Sequence, residues 1–143
     1  SRLLLSWRTL ADATERDPRV LDDQRSLLAW AERLAALGAD APRTLAMPLH
    51  AFQLAPDCVL LGLAHEPFAG YQAALTAASP FAHTFVFGYT NGSNAYLPTA
   101  EAFYLGGYEA FGANKLFGLP PLTPACERLV TAAAHDLLRS LSD

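Results

Sequence analysis

Followed along the chain, the apolar positions change period several times, and each change predicts an element. The opening SRLLLSWRTL is Leu-rich with no decisive period and leans towards a strand. From Pro18 the apolar residues fall three and four apart at Leu21, Leu27, Leu28, Ala31, Leu34 and Leu37. That spacing predicts an amphipathic helix opened by Pro18 and closed by Gly38, with Trp30 on its buried edge. Then RTLAMPLHAFQLAPDCVLLGLA alternates with period two at Met47, Leu49, Ala51 and Gln53 and is broken by Ala55-Pro56-Asp57, the pattern of a β-hairpin. His50 falls on the other face from Met47 and Leu49, a solvated or satisfied histidine by default.

After the strand Cys58 to Leu63, Pro67 reads as a first helical residue with Glu66 at the N-cap. Phe68, Tyr71, Leu75 and Ala78 then mark a helical face. HTFVFGY is a β-branched and aromatic strand ending at Tyr89. Strand, helix and strand over residues 58–89 form a βαβ crossover, which requires parallel neighbours. TAEAF gives a short helix, LGGYEAFGANKLFGLPPL a loop, and Pro124 to Leu141 a last helix with Leu129, Val130, Ala133, Leu137 and Leu141 on one face. The fold class predicted is α/β: a mixed sheet with flanking helices, containing a hairpin and a βαβ unit, in a single domain spanning 1–143.

Composition narrows the function classes. The chain has 143 residues, 52% hydrophobic and 17% charged, enough for one substantial core. Its net charge of -4, with ten scattered Lys and Arg, provides no basic stripe for nucleic acid or an anionic membrane. No apolar run approaches a transmembrane span, and the chain reads as soluble; its compartment is left open. Cys58 and Cys126 lie far apart without a Cys-x-x-Cys spacing and read as free thiols.

Ligand groups in α/β sheets gather at the carboxyl ends of the strands. Two segments qualify: the one carrying Glu66 after the strand at 58–63, and the loop Asn91 to Tyr96 after the strand at 84–89. If those strands are parallel neighbours, Glu66 and Tyr96 meet in one cleft. By ordinary packing alone, Glu66 is a helix-terminal charge, Tyr96 a packing residue with a bonded hydroxyl, and Tyr108 a core aromatic beside a Gly-Gly turn. Asn91-Gly92-Ser93 is a glycosylation sequon, but it lies inside the loop and is expected to be unused, with Asn91 bonding loop backbone instead.

The spaced motifs Leu63-Ala64-His65-Glu66-Pro67-Phe68, Gly88-Tyr89-Thr90-Asn91, Tyr96-Leu97-Pro98-Thr99 and Gly106-Gly107-Tyr108-Glu109 resemble, in order, those of the neutral ceramidases. These are zinc amidases acting on N-acyl sphingosine-like lipids, and the resemblance runs from Met47 to Glu109. It implies Glu66 and Tyr96 as zinc ligands and Tyr108 as a donor to the tetrahedral oxyanion. Carboxylate and phenolate oxygens suit Zn²⁺, and a phenol suits developing negative charge.

The family's Pro-Gly before the glutamate is replaced here by Ala64-His65, and His65 is read as a neighbour of the site instead of a spare ligand. The family's two histidine ligands and its serine nucleophile belong to the preceding half of its catalytic domain, and nothing from Ser1 to Asp57 matches them. The resemblance therefore implies the C-terminal portion of an amidase catalytic domain, inactive alone, with the other half or self-association as its partner. Such a piece is expected to bear a contiguous apolar patch. The alternative is a non-catalytic α/β binding or assembly module that kept the scaffold. Activity in the isolated chain would direct attention to His50, His65 and His83.

Overall fold

The computed structural model of the chain describes residues 18–40 and 43–142, without the side chains of 18–23. The opening decapeptide, read above as a strand, lies outside the described residues, as does Leu21's side chain. The chain divides into two compact units, residues 1–42 and 43–143. In the first, helix α1 runs Pro18–Leu37 and passes into a 3-10 turn at Gly38–Asp40, with Gly38 at φ 52°, as the Pro and Gly signals predict. Leu27, Trp30, Ala31 and Leu34 are half-buried, while Leu28 and Leu37 are exposed.

The second unit is α/β. Strands β1 (Leu49–Ala55) and β2 (Cys58–Leu63) form the antiparallel hairpin, turning at Pro56-Asp57. Beyond β2 lies a two-residue strand β3 (Glu66–Pro67), then α2 (Ala69–Ala77) and β4 (His83–Phe87), which pairs parallel with β2. The sheet order is β1-β2-β4, mixed in direction, and the βαβ crossover is present. A second, two-stranded sheet joins β3 in parallel to β5 (Tyr96–Leu97). Helix α3 (Ala100–Leu105) follows, as TAEAF predicts. The stretch read as loop is partly helical: Tyr108–Gly112 makes a π-helical turn and Asn114–Phe117 the short helix α4. Helix α5 (Ala125–Ser142) closes the unit.

Alternation divides the sheet into two unlike faces. Val59, Leu61 and Leu63 are fully buried and pack with Tyr71 and Leu75 of α2, Phe81, Leu97, and Val130, Ala134 and Leu138 of α5. Removing such side chains from water stabilises by roughly 1.5–3 kcal/mol each, so this layer holds the unit together. The stripe of α5 is rotated from the one expected: Val130, Ala134 and Leu138 are buried, whereas Leu129 and Ala133 point outward. Spacings of four fit the sheet as well as those expected, and the pattern of an Ala-rich helix does not choose between them.

The opposite face is apolar and bare. Phe52, Leu60 and Phe85 form one cross-strand row, and His50, Gly62 and Phe87 the next. Phe52, Leu54, Phe85 and Phe87 are 62%, 63%, 53% and 50% exposed. Parallel strands are ordinarily covered on both faces, so a contiguous apolar face left open marks a surface suited to association.

Candidate functional site

Glu66 and Tyr96 are register partners in the β3–β5 pair, so their side chains leave the same face of that ladder. The pair is fixed by backbone bonds on both sides: Glu66 N–H donates to Ala95 O at 3.1 Å, and Phe68 N–H to Leu97 O at 3.1 Å. This corrects the reading of Glu66 as an N-cap. Its amide and the extended backbone of Pro67 are committed to β5, and α2 begins later, with Phe68 as its N-cap. The carboxylate is therefore free of the helix end and faces the tyrosines.

Two phenols feel it. A carboxylate beside a phenol disfavours the phenolate, so both Tyr96 and Tyr89 are harder to ionise. Tyr89 is pushed up to about 12, first by its interaction with the Glu66 side chain, then by desolvation and by the charge of Glu66. Tyr96 is raised first by the Glu66 side chain as well, with further contributions from desolvation, Tyr108 and Glu109. The Tyr108 ring lies edge-on to Tyr96, centroids 6.2 Å apart and planes at 72°. Thus the three residues singled out in the sequence, Glu66, Tyr96 and Tyr108, come together. Tyr89 joins them although its place at the expected end of a strand hid it; β4 stops at Phe87, and Gly88 releases the chain.

His65 explains how the two segments are joined. It is 3% exposed, not solvated, and both ring nitrogens are engaged. Asn94 N–H donates to Nδ1 at 3.1 Å, which leaves the ring proton on Nε2, donated to Ala46 O at 3.0 Å. Its backbone is equally committed: His65 N–H donates to Gly92 O at 2.7 Å, and Tyr89 N–H to His65 O at 2.7 Å. His65 (φ 65°), Tyr89 (φ 57°) and Asn91 (φ 57°) are the non-glycine residues with positive φ among the described residues, and all three lie in the two segments that these backbone bonds join. Left-handed backbone at non-glycine positions gathers where a site must be held.

The loop closes over the bare face of the sheet. Thr90 fills the space above Gly62, where a Cβ would meet its Cγ2 at 2.6 Å. Asn91 Nδ2 donates to His50 Nε2 at 3.2 Å, correcting the expectation that Asn91 bonds loop backbone and satisfying His50. His83 faces Asp57 at the other end of the sheet, 3.9 Å away. His50 and His65 are thus engaged and His83 is remote.

Among the described residues no group of three or more His, Cys, Asp or Glu is arranged to hold a metal ion. The donor set offered is one carboxylate and one or two phenols, all oxygen. It suits part of a zinc shell: an ion held by Glu66 and Tyr96 would have two oxygen donors and need the rest from elsewhere. No helix among the described residues is long and apolar enough to cross a membrane. No protein-family model, curated protein or solved structure matches the chain.

Proposed function

We propose that residues 43–142 form the carboxylate–tyrosine side of a zinc amidase site of the neutral ceramidase kind, acting on N-acyl sphingosine-like lipids when joined to a segment that supplies imidazole ligands and a nucleophile. The observation that carries this reading is the register pairing of Glu66 with Tyr96 across β3 and β5, which sends the carboxylate and the phenol from the same face of that ladder. Zinc, when bound, would polarise the amide carbonyl. Glu66 and Tyr96 would hold it, and Tyr108, half-exposed beside Tyr96, would donate its hydroxyl proton to the oxygen that gains charge as the carbonyl carbon becomes tetrahedral. Net hydrolysis adds water across the C–N bond and releases a fatty acid and a sphingoid amine. The bare apolar sheet face, adjoining the loop that carries Tyr96, supports docking of the complementary segment there.

A binding or assembly module that kept this scaffold is the second reading, favoured by the incomplete donor set. Turnover separates the two. The 143-residue chain with stoichiometric zinc is expected to hydrolyse no N-acyl sphingosine, and a complete catalytic domain containing it to do so in a zinc-dependent way. There Tyr96→Phe should lower zinc occupancy, while Tyr108→Phe should keep zinc and lower kcat by a factor on the order of 10² or more. Turnover that neither substitution changes would refute the assignment.

A further inference from the structure

Asparagine carries a reactivity of its own. The main-chain nitrogen of the following residue can attack the side-chain carbon Cγ, close a succinimide ring and expel ammonia. The reaction is easiest before glycine, whose missing Cβ leaves the attacking nitrogen unhindered. Of the chain's asparagines, Asn91, Asn94 and Asn114, only Asn91 precedes a glycine. Asn114 is buried, with its Nδ2 donating to the carbonyls of Ala110 and Phe111. Asn91 is exposed, in a turn at φ 57°.

Its surroundings favour each half of the reaction. The Gly92 amide, the attacking group, donates to no acceptor among the described residues, although the Gly92 carbonyl accepts from His65. The leaving group has a partner: Asn91 Nδ2 lies 3.2 Å from His50 Nε2. An amide nitrogen departs only once protonated, and histidine within hydrogen-bond reach is the commonest side chain to supply that proton. The bond that holds the amide in the resting chain thus becomes the path of the proton. When Cγ turns tetrahedral, Nδ2 gains a basic lone pair, and protonated His50 delivers its Nε2 proton along the same line.

We propose that Asn91 is a self-modification site, deamidated in the folded chain with His50 as general acid. The Gly92 N–Cγ bond forms and the Cγ–Nδ2 bond breaks. Gly92 loses its amide proton to solvent, Nδ2 leaves as ammonia with the proton from His50, and His50 is reprotonated from solvent. Water then opens the succinimide at either carbonyl, giving aspartate or isoaspartate; no oxidant or second protein takes part. The isoaspartyl product routes the main chain through an extra methylene immediately before Gly92, whose carbonyl accepts the His65 amide at 2.7 Å. That product loosens the join between the Asn91–Tyr96 loop and the segment bearing Glu66.

The test incubates the 143-residue chain near neutral pH beside the same chain unfolded in urea and the His50→Gln variant. Glutamine at position 50 keeps a hydrogen-bonding group but passes no proton. Mass spectrometry of the peptide containing residue 91 separates asparagine, aspartate and isoaspartate, with Asn94 and Asn114 as internal controls. Asn91 is expected to deamidate faster in the folded chain than in the unfolded one, and His50→Gln to slow the folded reaction by a factor on the order of 10². A folded chain no faster than the unfolded chain overturns the proposal, and that comparison does not depend on the variant. Equal rates in the folded chain and in His50→Gln overturn it too. In the purified isoaspartyl form, amide exchange at His65 is expected to quicken more than at Leu61, while Asn91→Asp, which adds no methylene, leaves it near that of the unsubstituted chain. Unchanged protection at His65 in the isoaspartyl form would overturn the loosening of the join.

Discussion

The backbone at His65 is left-handed, a conformation that glycine adopts readily. Histidine is among the residues that tolerate this region, and here the ring's two hydrogen bonds offset the conformational cost while tying Ala46 and Asn94 to the site. A bulky residue beside Glu66 that read in sequence as a bystander is thus a turn held by its own side chain. Single-sequence reasoning could nominate Glu66, Tyr96 and Tyr108 because spaced motifs carried them. It missed Tyr89, which alternation assigned to a strand, and it gave Glu66 a helix-capping role because a following Pro often opens a helix. Neither error was avoidable from local pattern, since both are settled by pairing with residues far along the chain. The charge of Glu66 has a measurable consequence. In Glu66→Gln, Tyr89 is expected to ionise nearer the ordinary tyrosine value of about 10 than the value of about 12 set by the carboxylate. The raised folded value means that any stability drawn from the neutral phenol beside Glu66 is present below about pH 10 and is lost as pH rises towards 12. Ultraviolet titration of tyrosinate checks this, and identical titration curves for the two proteins would refute it.

At the scale of elements, hydrophobic period revealed the hairpin, the βαβ crossover and the long helices, because each buries one face and shows it in the spacing. The two-residue strands β3 and β5 are too short to leave a period, and the π-helical turn bearing Tyr108 is concealed by glycines that read as loop. Yet the β3–β5 pair sets the distance between the candidate ligands, and its footing is a close approach outside the pair. A Cβ at Gly88 would lie 2.8 Å from Pro67 Cδ, nearer than such atoms pack. Gly88→Ala should therefore push β3 away from the end of β4 and destabilise the second unit by about 1–3 kcal/mol. It should also speed amide exchange at Glu66 and Phe68 more than at Leu61. Denaturant unfolding and hydrogen exchange measure the two effects, and uniform acceleration across β2 would show that the glycine serves the whole sheet and not the site.

For the molecule as a whole, the inner face of the β1-β2-β4 sheet is closed by helices and its outer face is open. The chain is expected to self-associate at high concentration through Phe52, Leu54, Phe85 and Phe87. The double substitution Phe52→Ser and Phe85→Ser should abolish this while changing stability by no more than about 0.5 kcal/mol, as exposed substitutions usually do. Sedimentation of both proteins decides the matter, and a monodisperse unsubstituted chain would count against an association surface. The order of elements also bears on how the chain folds during synthesis. Among the described residues all strand pairings lie between Leu49 and Leu97, so sheet and candidate site can close by short loops as soon as that stretch is free. The second helix that packs on Val59, Leu61 and Leu63 lies at residues 125–142 and is made after all of these strands. Until it arrives, the inner face of the sheet is covered by α2 alone and the outer face by nothing but the loop at Thr90, and the nascent chain passes through an interval in which the geometry of its site precedes the full stability that keeps it, an interval suited to chaperone capture or early partner docking.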